Sequence, residues 1–161
     1  MNRLARKVIL ICFAFTITTL SPISIASPVF KLEMEGDFEG NYDKISQSLD
    51  ANKFFVIFEP NIGSSLNHFK ERWGDQYNQN GYEEIQSLVF CNPWYVNQIL
   101  NKDPEMAALC PLSVTLLHKN SKTTVFFLRP SQQKPSSPAQ ALLIELENDI
   151  VNALEQAQSA E

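Results

Sequence analysis

Between Phe90 and Pro111 the chain is punctuated three times by proline, at Pro93, Pro104 and Pro111, each preceded by a residue with a local role: Asn92, Asp103 and Cys110. This punctuation constrains the fold more than any other stretch. Asn92 is a strong helix N-cap, and Pro93 suits the first helical turn, where a missing N–H costs nothing. Asp103-Pro104 repeats the device, so a second short helix is expected through Leu109. A strand should end near Phe90 and a new one begin after Pro111. Cys91 and Cys110 then flank a helical excursion between two strands.

Strand and helix periods define the remaining elements. Residues 30–35 alternate strictly between apolar and polar, which predicts a half-buried strand. Gly36 and Gly40 break it, and Tyr42, Ile45 and Leu49 follow at helical spacing. Residues 54–59 predict a second strand that is apolar on both faces, with Phe54, Val56 and Phe58 on one and Phe55 and Ile57 on the other. Ser64 or Ser65 can cap a short helix through Trp73. Residues 74–81 read as a polar loop and residues 84–90 as a third strand. Residues 112–119 and 123–129 flank Asn120-Ser121-Lys122 as a β-hairpin. Pro138 begins a final helix with Leu142, Leu143, Leu146, Ile150 and Leu154 on one face.

This order predicts an α+β fold, a mainly antiparallel sheet with helices packed on one face. Four segments are expected. Residues 1–26 form a secretory signal, residues 27–130 an α+β domain, residues 131–138 a Pro-rich linker, and residues 139–161 a C-terminal helix packing on the domain. The signal rests on Arg3, Arg6 and Lys7, the apolar run after them, and the small residues Ser24 and Ala26 before a cleavage point. The run is shorter than the roughly 20 apolar residues that cross a bilayer. Periplasmic export is the expected address, with no membrane attachment after cleavage.

Charge narrows the partners. From Ser27 onward, ten basic residues face eighteen acidic ones, a formal charge of −8. Nucleic-acid binding replaces counterions with Lys and Arg, and docking on anionic lipid needs the same residues. Neither is expected.

Two features are candidates for function. The first is apolar surface. The second strand and the hairpin are apolar on both faces, with Val125 and Phe127 alternating with Phe126 and Leu128. Helices on one side leave Phe55, Ile57, Phe126 and Leu128 on the other. Such a face calls for a cover: a second copy in a homodimer, a partner protein, a small apolar ligand, or a loop such as residues 74–81 or 130–138. Trp94 falls on the polar side of its helix with Asn97, Gln98 and Asn101, where it could form a rim to that site or pack under a loop. The second feature is the pair Cys91 and Cys110. A structural disulfide is the first expectation in an oxidising compartment. Thiol-redox chemistry and a metal site completed by His68 and His118 are the alternatives. No catalytic residue, cofactor motif or metal set is assigned. The sequence holds no Gly-rich phosphate loop and no nucleophile elbow.

The segment Phe90-Cys91-Asn92-Pro93, Leu100, Asp103-Pro104-Glu105, Leu109, Pro111, Val114 and Arg129-Pro130 resembles the domain-of-unknown-function 302 family. The resemblance implies an architecture similar to the TATA-binding-protein-like fold, without implying DNA binding. Members often carry a cysteine just after the proline of the second motif. Here Leu112 takes that place and Cys110 precedes Pro111. A family cysteine role therefore transfers by position at Cys91 and not at Cys110. The family brings no agreed activity. The expected function is a non-enzymatic binding domain, with thiol or metal handling as the rival.

Overall fold

The structure is a computed structural model that describes residues 27–160. The signal reading of residues 1–26 lies outside the described residues. Strands β1 (Val29–Glu35), β2 (Phe55–Phe58), β3 (Glu84–Cys91), β4 (Leu112–Lys119) and β5 (Lys122–Leu128) form one sheet in the order β1-β5-β4-β3-β2. Every neighbouring pair is antiparallel. Helices α1 (Phe38–Ala51), α4 (Pro93–Lys102) and α5 (Gln140–Ser159) cover one face; the short α2 (Ile62–Asn67) and α3 (Lys70–Trp73) lie between β2 and β3 in the chain. The α+β class and the one-sided helix layer are those predicted. Among the described residues, no helix is long and apolar enough to cross a membrane.

Alternation in the strands decides what the helices cover. Leu88, Phe90, Val114, Leu116, Val125 and Phe127 point into the helix layer and are fully buried. They meet Tyr42, Ile45 and Leu49 of α1 and Leu143, Leu146, Ile150 and Leu154 of α5. Small residues let the helices approach: Ala153 and Ala157 are buried on α5, and the Ser48 hydroxyl of α1 donates to the Ala153 carbonyl at 2.6 Å.

Local chemistry sets the boundaries. Gly36 turns the chain out of β1 at φ +109°, a region that β-carbons disfavour. Asp37 then caps α1 by accepting from the Gly40 N–H at 2.8 Å, so the helix starts before Tyr42. Asn92 accepts from the N–H groups of Trp94 and Tyr95 at 3.0 and 3.2 Å, which makes it the cap of α4. Asn120 and Ser121 both adopt positive φ, which suits the two-residue turn that matches strand twist, so Lys122 joins β5 instead of the turn.

Two expectations fail. The helix assigned to Ser64 or Ser65 is capped by Asn61, whose side chain accepts from the Ser64 N–H at 2.7 Å. Ser65 instead donates its hydroxyl back to the Asn61 carbonyl, and the helix breaks at His68-Phe69 into α2 and α3. The second failure is Phe58. A register shift lies between Val56, opposite Phe90, and Phe58, opposite Val89. The bulge turns Phe58 away from the helix layer and leaves it 63% exposed.

The motif residues do structural work. Asp103 is buried, caps the 3-10 turn Pro104–Leu109, accepts from the Ser137 hydroxyl at 2.6 Å, and pairs with Lys134 at 3.0 Å. Lys134 also reaches Glu105 at 2.7 Å. The Asp-Pro-Glu motif thus holds down the segment 130–138. Arg129 pairs with Glu147 of α5 at 2.6 Å, and Glu147 also accepts from the Ser131 amide and hydroxyl.

The Ser137 hydroxyl, and after it the Lys134 ammonium, hold the Asp103 carboxyl below its ordinary range. A lowered carboxyl contributes stability that is present above the unfolded-state value and lost as pH falls through the folded one. Asp103→Asn should therefore lower the melting temperature at neutral pH. It should also flatten the acid loss that wild type shows below about pH 4. Thermal melts across that range test this, and parallel profiles for the two proteins would contradict it.

Candidate functional site

The antiparallel pairing of β3 with β4 brings the two ends of the α4 excursion back together. Cys91 closes β3, Cys110 precedes the cis bond to Pro111, and their sulfurs lie 3.9 Å apart as free thiols. The predicted proximity of the two cysteines is present. Behind them α4, the 3-10 turn and α5 leave an apolar cavity of about 30 Å³ above Phe90 and Leu112. Its lining includes Tyr95, Ile99, Met106, Leu143 and both cysteines. That volume holds one water or one ion, not an organic ligand.

The start of α4 next to Cys91 favours a thiolate through the helix dipole. The opposite effect dominates. Burial, and then the hydrogen bond with Cys110, push the Cys91 thiol up, so it is protonated at neutral pH. Cys110 is the exposed member. In the reduced chain, iodoacetamide at neutral pH should modify Cys110 before Cys91, with Cys91 catching up as pH rises. Peptide mapping over time reads the order, and prior labelling of Cys91 would contradict this environment.

The histidines lie elsewhere. His118 is buried beside Phe38 and bonded through Nδ1 to the Thr123 hydroxyl at 2.9 Å. His68 follows α2. Among the described residues no three His, Cys, Asp or Glu side chains gather as a metal set.

The second candidate is the uncovered sheet face. Because Leu88 and Phe90 point into the helices, Val89 and Cys91 point out, and their partners Phe58 and Phe55 point out with them. Phe55 is 46% exposed, Ile57 60% and Leu128 51%. Phe126 is half-buried on the same face, between Lys31 and Thr115. Val29, paired with Leu128, is also exposed. Ser113, opposite Val89, and the hydrogen-bonded pair Ser87–Thr115, 2.7 Å apart, stand in the middle. The face is therefore two apolar flanks beside a hydroxyl stripe. Towards the β4–β5 turn it becomes charged, where Lys31, Lys122, Glu33 and Glu35 pair at 2.5–3.3 Å. The apolar flanks lie at the end of the sheet that carries Cys91.

Neither suggested loop covers these residues. The segment 130–138 is tied to Asp103 and Glu147. The loop 74–81 is held to the turn end by the Lys119 ammonium on the Asn80 carbonyl at 2.5 Å. Trp94 is 55% exposed but belongs to α4 in the helix layer, where its ring meets Tyr95 edge-on at 4.9 Å. Phe58 was missed because a one-residue bulge has no signature in alternation. Met106 was missed as a cavity residue, although its place between the cysteines, inside the second proline-capped turn, was a usable signal.

A polar cleft of about 350 Å³ beside α2 is lined in part by Asn61, Asn78 and Tyr82. Asn61 already caps α2, and Asn78 already holds the Tyr82 backbone from both sides.

Comparison with known proteins agrees with this geometry. A family model described as a domain of unknown function, DUF302, matches residues 30–157, which takes in α5. The crystal structure of an uncharacterized conserved DUF302 protein from Bacillus stearothermophilus superposes with a TM-score of 0.68 at 15% identity. The match covers 82% of this chain and 99% of that one, and at this identity it speaks to the fold alone. No curated protein matches. With the matched residues spanning the whole sheet and its helix layer, the chain belongs to the DUF302 family.

Proposed function

We propose that this chain is a non-enzymatic binding domain of the periplasm that docks a protein partner, in the first instance a second copy of itself, through the open sheet face. One observation carries the reading: Phe55, Ile57, Phe58 and Leu128 are all about half exposed or more at one end of a sheet whose other face is fully covered. Apolar surface gathered in this way marks an interface more often than a bare exterior. Closely placed sheets can bury such faces about 10 Å apart.

The cysteines fit an exported protein. With a protein disulfide as the oxidant, Cys91 and Cys110 can close into a bridge over the α4 excursion. A bridge around a loop of this size contributes about 3 kcal/mol. The periplasmic address itself rests on the basic and apolar residues before Ser27. Oligomer mass by sedimentation, with an aspartate placed on the face as control, tests the docking proposal.

A further inference from the structure

Cys91 ends β3 opposite Phe55, on the side of the sheet that the helices leave open. Cys110 is exposed, and its sulfur lies 3.9 Å from that of Cys91. The apolar flank with Phe55, Ile57 and Phe58 therefore runs up to an accessible pair of thiols. We propose that this pair reduces a disulfide in a polypeptide docked on that flank, with Cys110 as the attacking sulfur and Cys91 as the resolving one. The inference rests on the docking reading of the open face and names a further partner for it: a disulfide-bonded chain with apolar side chains beside its cysteines. A second copy would compete with that chain for the flank.

Three observations separate an exchanging pair from a purely structural bridge. The pair is reachable from solvent through Cys110, and exposed disulfides are the labile ones. The excursion between the cysteines is also held without them. β3 and β4 pair from Phe90–Leu112 onwards, Tyr95, Ile99 and Met106 are buried, and Asp103 ties the turn to Ser137 and Lys134. The fold therefore survives with the thiols open, as a pair that cycles requires. Finally, the two sulfurs differ. Cys110 is the one a docked disulfide meets first. Cys91 is more covered, and burial, then the hydrogen bond with Cys110, keeps its thiol protonated. A covered thiol beside an exposed one suits the second step of exchange, attack on its own neighbour.

The exchange runs in two balanced steps. Cys110 loses its proton to solvent, and its thiolate attacks the docked disulfide. That S–S bond breaks, an interchain S–S bond forms, and the released sulfur takes up a proton. Cys91 then gives up its proton and attacks the Cys110 sulfur. The interchain bond breaks, the Cys91–Cys110 bond forms, and the second sulfur of the partner leaves as a thiol. Two electrons pass from this chain to the docked one. A thiol pushed up by burial is a poor leaving group, so the bridged chain is slow to hand its disulfide back. That sets the direction as reduction of the partner. A dithiol reductant returns the bridge to two thiols.

The test mixes the reduced chain from Ser27, dilute and free of reductant, with a synthetic peptide rich in leucine and phenylalanine and closed by one disulfide. Oxidised glutathione is run in parallel. Intact mass follows the reaction, and circular dichroism checks the fold. The expected wild-type products are a bridged chain, two hydrogens lighter, and a peptide with free thiols, formed faster than with oxidised glutathione. Dithiothreitol should restore the chain for a further round. Cys91→Ser should stop at the mixed disulfide, with the peptide fixed to Cys110. Cys110→Ser should trap no peptide on the same time scale. Phe55→Asp should cut the preference for the peptide over oxidised glutathione about tenfold. Failure of the wild type to reduce the peptide would overturn the proposal. So would equal trapping by the two serine variants, or an unchanged preference in Phe55→Asp. The wild-type and Phe55→Asp results carry the test if a serine variant fails to fold. A wild-type chain that sediments as a monomer and still reduces the peptide supports this proposal and removes only the second copy from the face.

Discussion

Glu147→Ala is expected to destabilise the chain by about 3 kcal/mol, the low end of what removing one partner from a buried ion pair costs. The Glu147 side chain is 9% exposed and that of Arg129 21%. Without the carboxylate, the Arg129 guanidinium has no acidic partner among the described residues and keeps its contact with the Phe30 ring at 5.4 Å. The Ser131 amide and hydroxyl lose their acceptor as well. The low end applies because Arg129 can turn partly towards water. Urea unfolding should show a lower midpoint with an unchanged slope. A loss below about 1 kcal/mol, the range of exposed pairs, would mean that the pair does not hold α5 to the sheet. Glu147→Gln should recover part of the loss, since an amide still accepts from Ser131.

The second large effect concerns association. Phe55→Asp, Ile57→Asp and Leu128→Asp each place a carboxylate on the open face. In a two-fold dimer every substitution appears twice, and each buried carboxylate without a partner costs about 1–3 kcal/mol or more. Each variant should therefore weaken self-association at least about 30-fold. Monomer stability should move by less than about 0.5 kcal/mol, as for other exposed positions. Trp94→Ala, on the helix layer, should leave association unchanged. An aspartate that unfolds the monomer would show that the face packs within the chain, against the exposure of these residues.

Much of this architecture was legible because it rests on local chemistry. Asn92-Pro93 and Asp103-Pro104 announce their helices through caps that reach only two or three residues. Strict alternation in β1 and the stripe on α5 point to their buried faces directly. The misses have a common physical origin. The bulge at Ile57 is a pairing event between β2 and β3, so nothing within β2 shows that Phe58 turns outwards. The segment 130–138 reads as a linker from its prolines and serines. It is held in place by Asp103 and Glu147, 34 residues before Ser137 and 16 after Ser131. Such pairs exist only once the fold has formed. Cys91 and Cys110 were legible as neighbours because their strands had to pair. The raised Cys91 thiol was not, because the helix dipole is visible in the sequence and the burial that outweighs it is not.

The open sheet face either docks a second copy or stays bare in solution. Sedimentation equilibrium of the chain from Ser27, at micromolar concentration, measures this most directly, with Phe55→Asp run alongside. The expected result is twice the chain mass for wild type and the single chain mass for the variant. A wild-type chain that sediments as a monomer would contradict the proposed self-association.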